Sequence, residues 1–394
     1  MHSNPDDFAI HYTGERGPLF NLALKTGFLT LATLGIYRFW QKTRLRKYIW
    51  SSTNAGGDTF EYTGTGMEKF LGFLLAVLFL AVYVGLIQMV LFFFGLTLMT
   101  PAVTMEQAIG QLIALYVTIF AVVPFLLFAV YRARRYKMAR TRWRGIRFGM
   151  EKGAWGFVWR AIGHGLLTLV TLGALLPRQV FFLEKYMTDR SWYGDARFVQ
   201  EGKWTDLYGA MKHVGIGIGL MVLGGVLGAA QVPGVAAIAG GVGYVWLIIG
   251  LVYFGVRSFG YLTSHKRLGA DIRFVSAPRT GTVLKTYILG SLLVGLALAA
   301  VIAVLAGLVF LVTEASGGTP GIGTIAIGAI GYVVALIAVQ ALALVFIVQP
   351  ILAHYIGTIT VTNPDALNAI RQREAETGLD AEGFADALDI GGAI

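Results

Sequence analysis

The chain has 394 residues, of which 56% are hydrophobic and only 14% are charged, and its mean hydropathy is +0.66. A soluble domain has about 45–50% apolar and about 25% charged residues, so this composition excludes an ordinary soluble protein and indicates a membrane protein. The net charge of +10 is better explained by cytoplasmic loops that face anionic lipids than by nucleic-acid binding, because no nucleic-acid recognition motif is present.

The N-terminal residues 1–17 are polar and partly acidic, without the basic and apolar regions of a cleavable signal peptide. We therefore expect the first apolar segment to remain in the mature protein, with residues 1–18 as a cytoplasmic N-terminus. The chain contains no cysteine, which excludes disulfides, thiolate metal sites and cysteine nucleophiles.

Six apolar stretches are long enough to cross about 30 Å of hydrocarbon, which takes roughly 20 apolar residues each. In chain order they cover residues 70–100, 107–131, 213–231, 235–256, 286–312 and 325–352. Two further apolar stretches, 19–37 and 161–177, are shorter and contain Lys25 and His164, respectively. The sequence alone leaves the placement of these two segments ambiguous.

The positions of lysine and arginine predict which side each connection faces. All 32 of these residues lie in six regions, namely 1–37, 38–69, 132–160, 178–212, 257–285 and the tail after 352. The connections near residues 100–106, 231–234 and 313–323 contain none, so we expect them on the outside. We expect both termini on the cytoplasmic side.

This distribution also constrains the two ambiguous segments. If 19–37 and 161–177 both crossed the bilayer, the basic regions 132–160 and 178–212 would face opposite sides, contrary to the positive-inside rule. We therefore favour six spans plus two segments that re-enter the membrane or lie in its interface. Eight spans with one exception to the rule is the alternative.

An internal repeat supports treating the two ambiguous segments alike. Residues 29–35 (LTLATLG) return as 167–173 (LTLVTLG), and at the same offset Lys47-Tyr48 matches Lys185-Tyr186 and Phe60 matches Phe198. We expect a duplicated unit that contains an interfacial segment, a basic helix and a helical hairpin. The predicted regions are a first unit 19–156, a second unit 157–285, a third helical hairpin 286–356 and an acidic cytoplasmic tail 357–394.

Four short polar stretches alternate around a central phenylalanine: Phe60, Phe148, Phe198 and Phe274. This pattern is typical of a short strand or a β-turn. The four pieces could assemble into a small cytoplasmic sheet, or form independent turns. The predicted fold is an all-α membrane protein with about six transmembrane helices, two re-entrant or interfacial helical segments, a duplicated unit and short cytoplasmic β-like excursions.

Several motifs resemble one known family. Residues 35–48 (GIYRFWQKTRLRKY), the Phe60 stretch, Gly64-Thr65-Gly66, residues 141–149 (TRWRGIRFG) and residues 385–390 (ADALDI) are similar to the YjgN-like bacterial inner-membrane proteins. The resemblance covers nearly the whole chain. It implies a multi-pass protein of the bacterial cytoplasmic membrane, but it implies no activity, because the function of that family is unknown.

Two basic stretches interleaved with aromatic residues are the candidate binding regions. Aromatic rings sit at headgroup depth, and each nearby cation gains about 1 kcal/mol from an anionic leaflet. The stretches are either topology determinants and anchors or a pocket for an anionic lipid or metabolite. The candidate lipid or ligand contacts are Arg38, Lys42, Arg44, Arg46, Lys47, Arg132, Arg134, Arg135, Lys137, Arg140 and Arg142. The candidate interfacial anchors are Trp40, Trp50, Trp143, Phe60, Phe148, Phe198 and Phe274.

Motifs for catalysis are missing, since the chain has no HExxH, Walker or GxSxG sequence and its six histidines lack metal-ligand spacing. We predict no enzyme, no catalytic residue, no cofactor and no metal. The glycine pairs Gly215–Gly219 and Gly224–Gly228 predict close helix packing, with homo-oligomerisation or a glycine-lined passage as alternatives. The acidic tail is interpreted as a solvated terminus, or alternatively as a segment that docks on the basic face.

Transport or flipping of an anionic amphiphile or small metabolite is the first functional hypothesis, favoured by the duplication, the re-entrant segments and the abundant glycine. The absence of Asp or Glu within the spans away from their ends argues against a proton-coupled carrier. The alternative is a non-transporting lipid-binding or scaffolding protein of the inner leaflet, and a membrane enzyme is third. The expected partners are membrane lipids with anionic headgroups, and no nucleic acid.

Overall fold

The computed structural model describes residues 7–373, in which pairs of helices alternate with short strands. The acidic tail from residue 374 onward, including the 385–390 motif, lies outside the described residues. The elements up to the middle of the chain are β1 (Phe8–Tyr12), α1 (Arg16–Ala32), α2 (Arg38–Ser51), β2 (Thr53–Ala55), β3 (Asp58–Tyr62), α3 (Gly66–Phe93), α4 (Met105–Ala139), β4 (Thr141–Trp143), β5 (Ile146–Met150), α5 (Ala154–Val170), α6 (Leu176–Thr188), β6 (Ser191–Tyr193) and β7 (Ala196–Gln200). They are followed by α7 (Tyr208–Ala229), α8 (Pro233–Ser264), β8 (Lys266–Leu268), β9 (Ile272–Ser276), α9 (Thr280–Ala315), α10 (Ile322–Ala343), a π-helical segment (Leu344–Val348), α11 (Gln349–Gly357) and β10 (Ile359–Thr362).

The ten strands form a closed antiparallel barrel in the order β1-β10-β9-β8-β7-β6-β5-β4-β3-β2. The prediction of an all-α fold is therefore wrong, and so is the alternative of four independent turns. The four phenylalanine-centred stretches are strands β3, β5, β7 and β9, whereas β1, β2, β4, β6, β8 and β10 were not predicted. Strands of three or four residues, such as β2, β4 and β10, contain too few alternations of polar and apolar side chains to be recognised in a sequence.

The order strand, helix, helix, strand occurs five times along the described chain, and each pair of helices leaves from one strand and returns to the next. At the first and last strands, Phe8 of β1 lies opposite Val361 of β10, which in turn lies opposite Phe274 of β9. The predicted division into two units and a third hairpin remains a prediction.

Six helical segments of the described chain are long and apolar enough to cross a membrane, the number that the sequence predicts. They are Gly66–Phe93, Met105–Ala139, Trp204–Ala229, Pro233–Ser264, Thr280–Ala315 and Ile322–Gly357. The ambiguous segments are α1 and α5, and neither is among the six. Each has 17 residues and is about 25 Å long, which is short for a span.

Tight turns connect α1 to α2 and α5 to α6 with the same geometry. Leu34 and Gly35 have φ angles of 51° and 93°, and the equivalent Leu172 and Gly173 have 50° and 90°. In both turns the threonine before the leucine accepts a hydrogen bond from the backbone four residues later. The sequence repeat at residues 29–35 and 167–173 thus corresponds to two short helical hairpins that turn back in the same way.

Contacts divide the described chain into two units, each described by itself. The first unit contains residues 7–60, 205–266 and 271–367, and the second contains residues 61–204, 267–270 and 368–373. In the second unit, α4, α5 and α6 pack around a buried cluster that includes Tyr131, Phe157 and Tyr186. Both tyrosine hydroxyls donate to backbone carbonyl groups, so no polar atom of these rings is left unsatisfied.

Glycines bring α7 and α8 of the first unit into close contact. A Cβ atom at Gly217 would lie 2.6 Å from the backbone nitrogen of Leu247, and one at Gly224 would lie 2.7 Å from the backbone nitrogen of Gly240. By contrast, a Cβ at Gly215 or Gly219 would meet nothing within 4 Å. The contacts of Gly217 and Gly224 are therefore packing contacts within the hairpin.

Candidate functional site

A groove of about 490 Å³ lies in the first unit, where the start of α1 meets α9 and the π-helical segment. We call it the Arg16–Lys285 groove after its two charged lining residues. Its lining residues are Arg16, Gly281, Thr282, Lys285, Thr286, Leu289, Gly290, Leu293, Phe346 and Pro350.

Local packing fixes the two sides of this groove. The side-chain nitrogen of Gln349 donates a hydrogen bond of 2.9 Å to the carbonyl oxygen of Gly14, so the start of α11 holds the chain that leads into α1. A Cβ atom at Gly290 would lie 2.7 Å from the carbonyl oxygen of Phe346, so glycine is what allows α9 to approach the π-helical segment. Short π-helical segments occur frequently at functional sites.

Positive charge lies at the end of the groove nearest the strands. Arg16 and Lys285 are both exposed, and no acidic residue lines the groove. The guanidinium group of Arg16 lies 5.8 Å from the centre of the Phe346 ring. Within the described chain, the ammonium group of Lys285 has no hydrogen-bond or ion-pair partner. Two cations at this end can therefore attract an anion.

The hydroxyl groups of Thr282 and Thr286 add polarity to the groove without charge, and the Tyr12 phenol lies outside its lining. Thr286 donates its hydroxyl proton to the carbonyl oxygen of Thr282 at 2.8 Å, so its oxygen can still accept a hydrogen bond. Burial, with a smaller contribution from the Tyr48 phenol, raises the pKa of Tyr12 to about 12. Tyr12, on the strand that leads into α1, is therefore neutral at physiological pH.

The other end of the groove is apolar. Lys285, Leu289 and Leu293 follow one another at intervals of four residues and so lie on one face of α9. The side chains of Leu289 and Leu293 are 45% and 49% exposed. The lining thus changes from cationic to apolar over about 12 Å of helix. Such a groove suits a molecule with an anionic head and an apolar tail.

The basic residues predicted on α2 lie in the first unit but do not line the groove. Arg38, Arg44 and Lys47 are exposed and Lys42 is half-buried, whereas Arg46 is only 4% exposed and its guanidinium group lies 6.0 Å from the centre of the Trp50 ring. Trp40 is half-buried and stacks on Tyr37 at 6.0 Å. Lipid binding by this surface remains a prediction.

The basic residues predicted around the end of α4 lie in the second unit, and Arg134, Arg135 and Arg140 each have an acceptor inside the protein. Arg134 makes two hydrogen bonds to the Glu184 carboxylate, at 2.7 and 3.0 Å. Arg135 donates to the carbonyl oxygen of Met150 at 2.8 Å. Arg140 forms an ion pair with Glu68 at 3.2 Å.

The other three cations of this stretch, Arg132, Lys137 and Arg142, are half-buried. Arg132 lies 5.4 Å from the centre of the Phe128 ring, and Arg142 lies opposite Arg147 in the β4–β5 pair. Contacts inside the protein thus explain the presence of several cations in the basic stretch 132–142. Contact of its members with an anionic lipid remains a prediction.

The remaining predicted anchors are members of the barrel strands. Trp143 is buried on β4, and its ring centre lies 5.6 Å from that of Tyr193. The rings of Phe148 and Phe198 are 6.5 Å apart and nearly parallel, while Phe60 and Phe274 are half-buried on β3 and β9. Their role as membrane anchors remains a prediction.

Sequence reasoning missed the groove residues because Arg16 and Lys285 counted only as topology signals. The spacing of Lys285 could have identified it, because it lies just before the predicted span 286–312 and four residues before Leu289 of that span. Residues 7–373 contain no group of three or more histidine, aspartate or glutamate side chains that could hold a metal ion.

Comparison with known proteins identifies the family, since a family model matches residues 8–386. The chain belongs to the bacterial proteins of unknown function called DUF898. It is 27% identical over 180 residues to the inner membrane protein YjgN of Escherichia coli K12, an alignment that covers 46% of this chain and 38% of the relative. It is 28% identical over 168 residues to the inner membrane protein YjgN of Salmonella typhimurium, covering 42% and 37%.

The chain thus spans well under half the length of the curated relatives that it matches. No solved structure matches it. The resemblance to YjgN-like proteins is confirmed. With six candidate spanning helices and relatives named as inner membrane proteins, this DUF898 member is a multi-pass protein of the bacterial inner membrane.

Proposed function

We propose that this DUF898 protein binds an anionic amphiphile of the inner leaflet in the Arg16–Lys285 groove and transports or flips it. The observation that supports this function is the change along one face of α9 from a cation to exposed leucines. An anionic head would contact Arg16 and Lys285, and its apolar tail would lie along Leu289 and Leu293.

The headgroup supplies the selectivity in this proposal. An acyl chain gains little by leaving lipid for a leucine face, because both surroundings are apolar. A cation near an anionic lipid gains about 1 kcal/mol, so Arg16 and Lys285 together would favour an anionic over a zwitterionic lipid by about 2 kcal/mol. This difference corresponds to roughly 30-fold in affinity.

Interrupted helix geometry supports movement of the bound molecule. The last candidate span changes from α-helix to π-helix at Leu344–Val348, and Pro350 follows within it. Carriers often place their substrate beside interrupted helices. Because Asp and Glu occur in the six candidate spans only within three residues of an end, the proposed movement is downhill rather than proton-coupled.

A non-transporting lipid-binding or scaffolding role is the second candidate. It is favoured by the exposure of Leu289 and Leu293, because a lipid could reach these residues from the side without any span moving. The two candidates share the groove as the binding site and differ in whether lipid crosses the bilayer.

Native mass spectrometry of the detergent-solubilised protein, titrated with dioleoyl phosphatidylglycerol, tests the binding step. We expect Arg16→Gln/Lys285→Gln to lower the affinity for this anionic lipid by about 30-fold, because both headgroup cations are removed. Binding of dioleoyl phosphatidylcholine should change little. Lys25→Gln/Arg257→Gln is the matched control, since both residues are exposed in the first unit and outside the groove. Equal affinity losses in the two double variants would contradict the proposal.

Lipid flipping in proteoliposomes then separates the two candidates. A fluorescent phosphatidylglycerol is reconstituted in both leaflets, and the fraction quenched by external dithionite is followed over time. We expect the wild-type protein to accelerate flipping and the Arg16→Gln/Lys285→Gln variant to lose the acceleration. Wild-type binding without acceleration would favour the scaffolding role.

A further inference from the structure

A second cationic cluster lies in the second unit, within the α5–α6 hairpin. A guanidinium nitrogen of Arg178 lies 2.9 Å from Nδ1 of His164, and both side chains contact the Phe182 ring, at 5.3 and 5.4 Å from its centre. Arg160, one helical turn before His164, lies over the Tyr186 ring at 4.6 Å. The cluster therefore contains two guanidinium groups and one imidazole.

Arg178 lies close to the tip of the α5–α6 hairpin. It is the third residue of α6, close to the turn that joins the two helices. The apolar residues around this turn are strongly exposed, with Leu169 at 71%, Val170 at 80% and Leu172 at 89%. Exposed apolar residues at the tip of a hairpin in a membrane protein indicate insertion into lipid, where an uncompensated charge is costly.

The described chain provides no carboxylate for this cluster. Residues 152–183 contain no Asp or Glu. The flanking Glu151 and Glu184 form ion pairs with Arg197 and Arg134, respectively. Among the described residues, Arg178 contacts His164 and Phe182, and its other N–H groups have no acceptor. Among residues 7–373, no carboxylate therefore pairs with Arg178 or Arg160, so both can bind an anion from outside this range.

The imidazole fits the role of an acceptor within the cluster. Burial, followed by the charges of Arg178 and Arg160, lowers the pKa of His164. A neutral ring can accept one hydrogen bond from Arg178 through Nδ1 and leaves the net charge of the cluster at two positive units. An arginine has five N–H donors, so Arg178 retains four for an anion.

We propose that the α5–α6 hairpin binds the phosphate group of an anionic phospholipid between Arg178 and Arg160. Guanidinium groups match phosphate oxygens in both charge and donor geometry. The exposed apolar tip places this phosphate at the membrane, which favours a lipid over free phosphate as its source. The site shares no residue with the Arg16–Lys285 groove and does not depend on the proposed transport.

The equivalent hairpin α1–α2 provides an internal comparison. At the offset of the repeat, Leu22, Thr26 and Trp40 occupy the positions of Arg160, His164 and Arg178. That hairpin has the same turn geometry, with a hydrogen bond between Thr30 and Gln41. The hairpin fold therefore does not require the cationic cluster, which favours a role in binding.

Titration with dioleoyl phosphatidylglycerol in native mass spectrometry tests this site. Arg178→Gln and Arg160→Gln are each expected to weaken the binding of one lipid per chain by about 10-fold, as loss of a charge-assisted contact predicts. The control Lys152→Gln removes an exposed charge just before α5 and should have no effect. The same loss is expected in the Arg16→Gln/Lys285→Gln background, in which the groove is already weakened.

Unchanged lipid binding in both arginine variants would overturn the proposal, even if the groove variant loses lipid. Competition with excess inorganic phosphate distinguishes the two sources of the phosphate group. Displacement of the hairpin lipid by inorganic phosphate at matched concentration would show a solute site and would also overturn it. If Arg178→Gln does not fold, as judged by gel filtration, the exposed Arg160→Gln decides the outcome alone.

Discussion

Replacing Gly217 with alanine is expected to leave the protein about 1–3 kcal/mol less stable than replacing Gly215 with alanine, because overpacking usually costs this much. The new Cβ atom would lie 2.6 Å from the backbone nitrogen and 2.7 Å from the Cα atom of Leu247. Backbone atoms cannot move aside as a flexible side chain can, so α7 and α8 must separate. Thermal unfolding of the detergent-solubilised protein, followed by helical circular dichroism, measures the loss.

The matched control is Gly215→Ala, two residues earlier on the same helix, where a Cβ atom meets nothing within 4 Å. Both substitutions gain about 1 kcal/mol of intrinsic helix propensity, so the difference between the two variants isolates the steric effect. Unfolding of Gly217→Ala at or above the temperature found for Gly215→Ala would rule out close packing at Gly217.

Removing either partner of the Arg134–Glu184 pair is expected to cost about 1–3 kcal/mol of stability. A fully buried pair costs about 3–5 kcal/mol when one partner is lost, but these side chains are 29% and 19% exposed, so solvent screening reduces the effect. We expect Arg134→Gln and Glu184→Gln to destabilise the protein similarly. The double variant should lose less than the two single losses combined, because the single variants leave a charge unpaired.

This double-mutant cycle also distinguishes two roles for Arg134, which the sequence suggests as a ligand contact. If its role is structural, Arg134→Gln lowers the unfolding temperature and leaves phosphatidylglycerol binding close to the wild-type value. Weakened lipid binding with an unchanged unfolding temperature would instead support the ligand role. Arg257→Gln, at an exposed position on α8 outside the predicted lipid contacts, is the control for the loss of one arginine.

The long spans were predictable from sequence because twenty apolar residues form a strong local signal. The six predicted spans each fall on one of the six candidate helices, although their ends shift, as when the stretch 107–131 becomes part of Met105–Ala139. Charged residues such as Arg134 extend that helix beyond its apolar portion, and hydropathy cannot detect this extension.

The barrel and the groove were not predictable for a different reason. A three-residue strand such as Thr53–Ala55 has no periodicity of its own, and one of its two partner strands, Ile10–Tyr12, lies some forty residues earlier. The groove combines Arg16 with Lys285 and Phe346, which are far apart in the chain. Proximity of this kind depends on tertiary packing. The π-helical segment also has no sequence signature that we could recognise.

The pairing of β1 with β10 has a consequence for biosynthesis. The helical hairpins can insert into the membrane one after another as translation proceeds. The strand β1 can pair with β10 only after Thr360, the residue opposite Ala9, has been synthesised. Until then the strands form an open ribbon whose unpaired edges expose N–H and C=O groups. Contacts between such distant residues form slowly, so ring closure is expected to be a late event in the maturation of the chain.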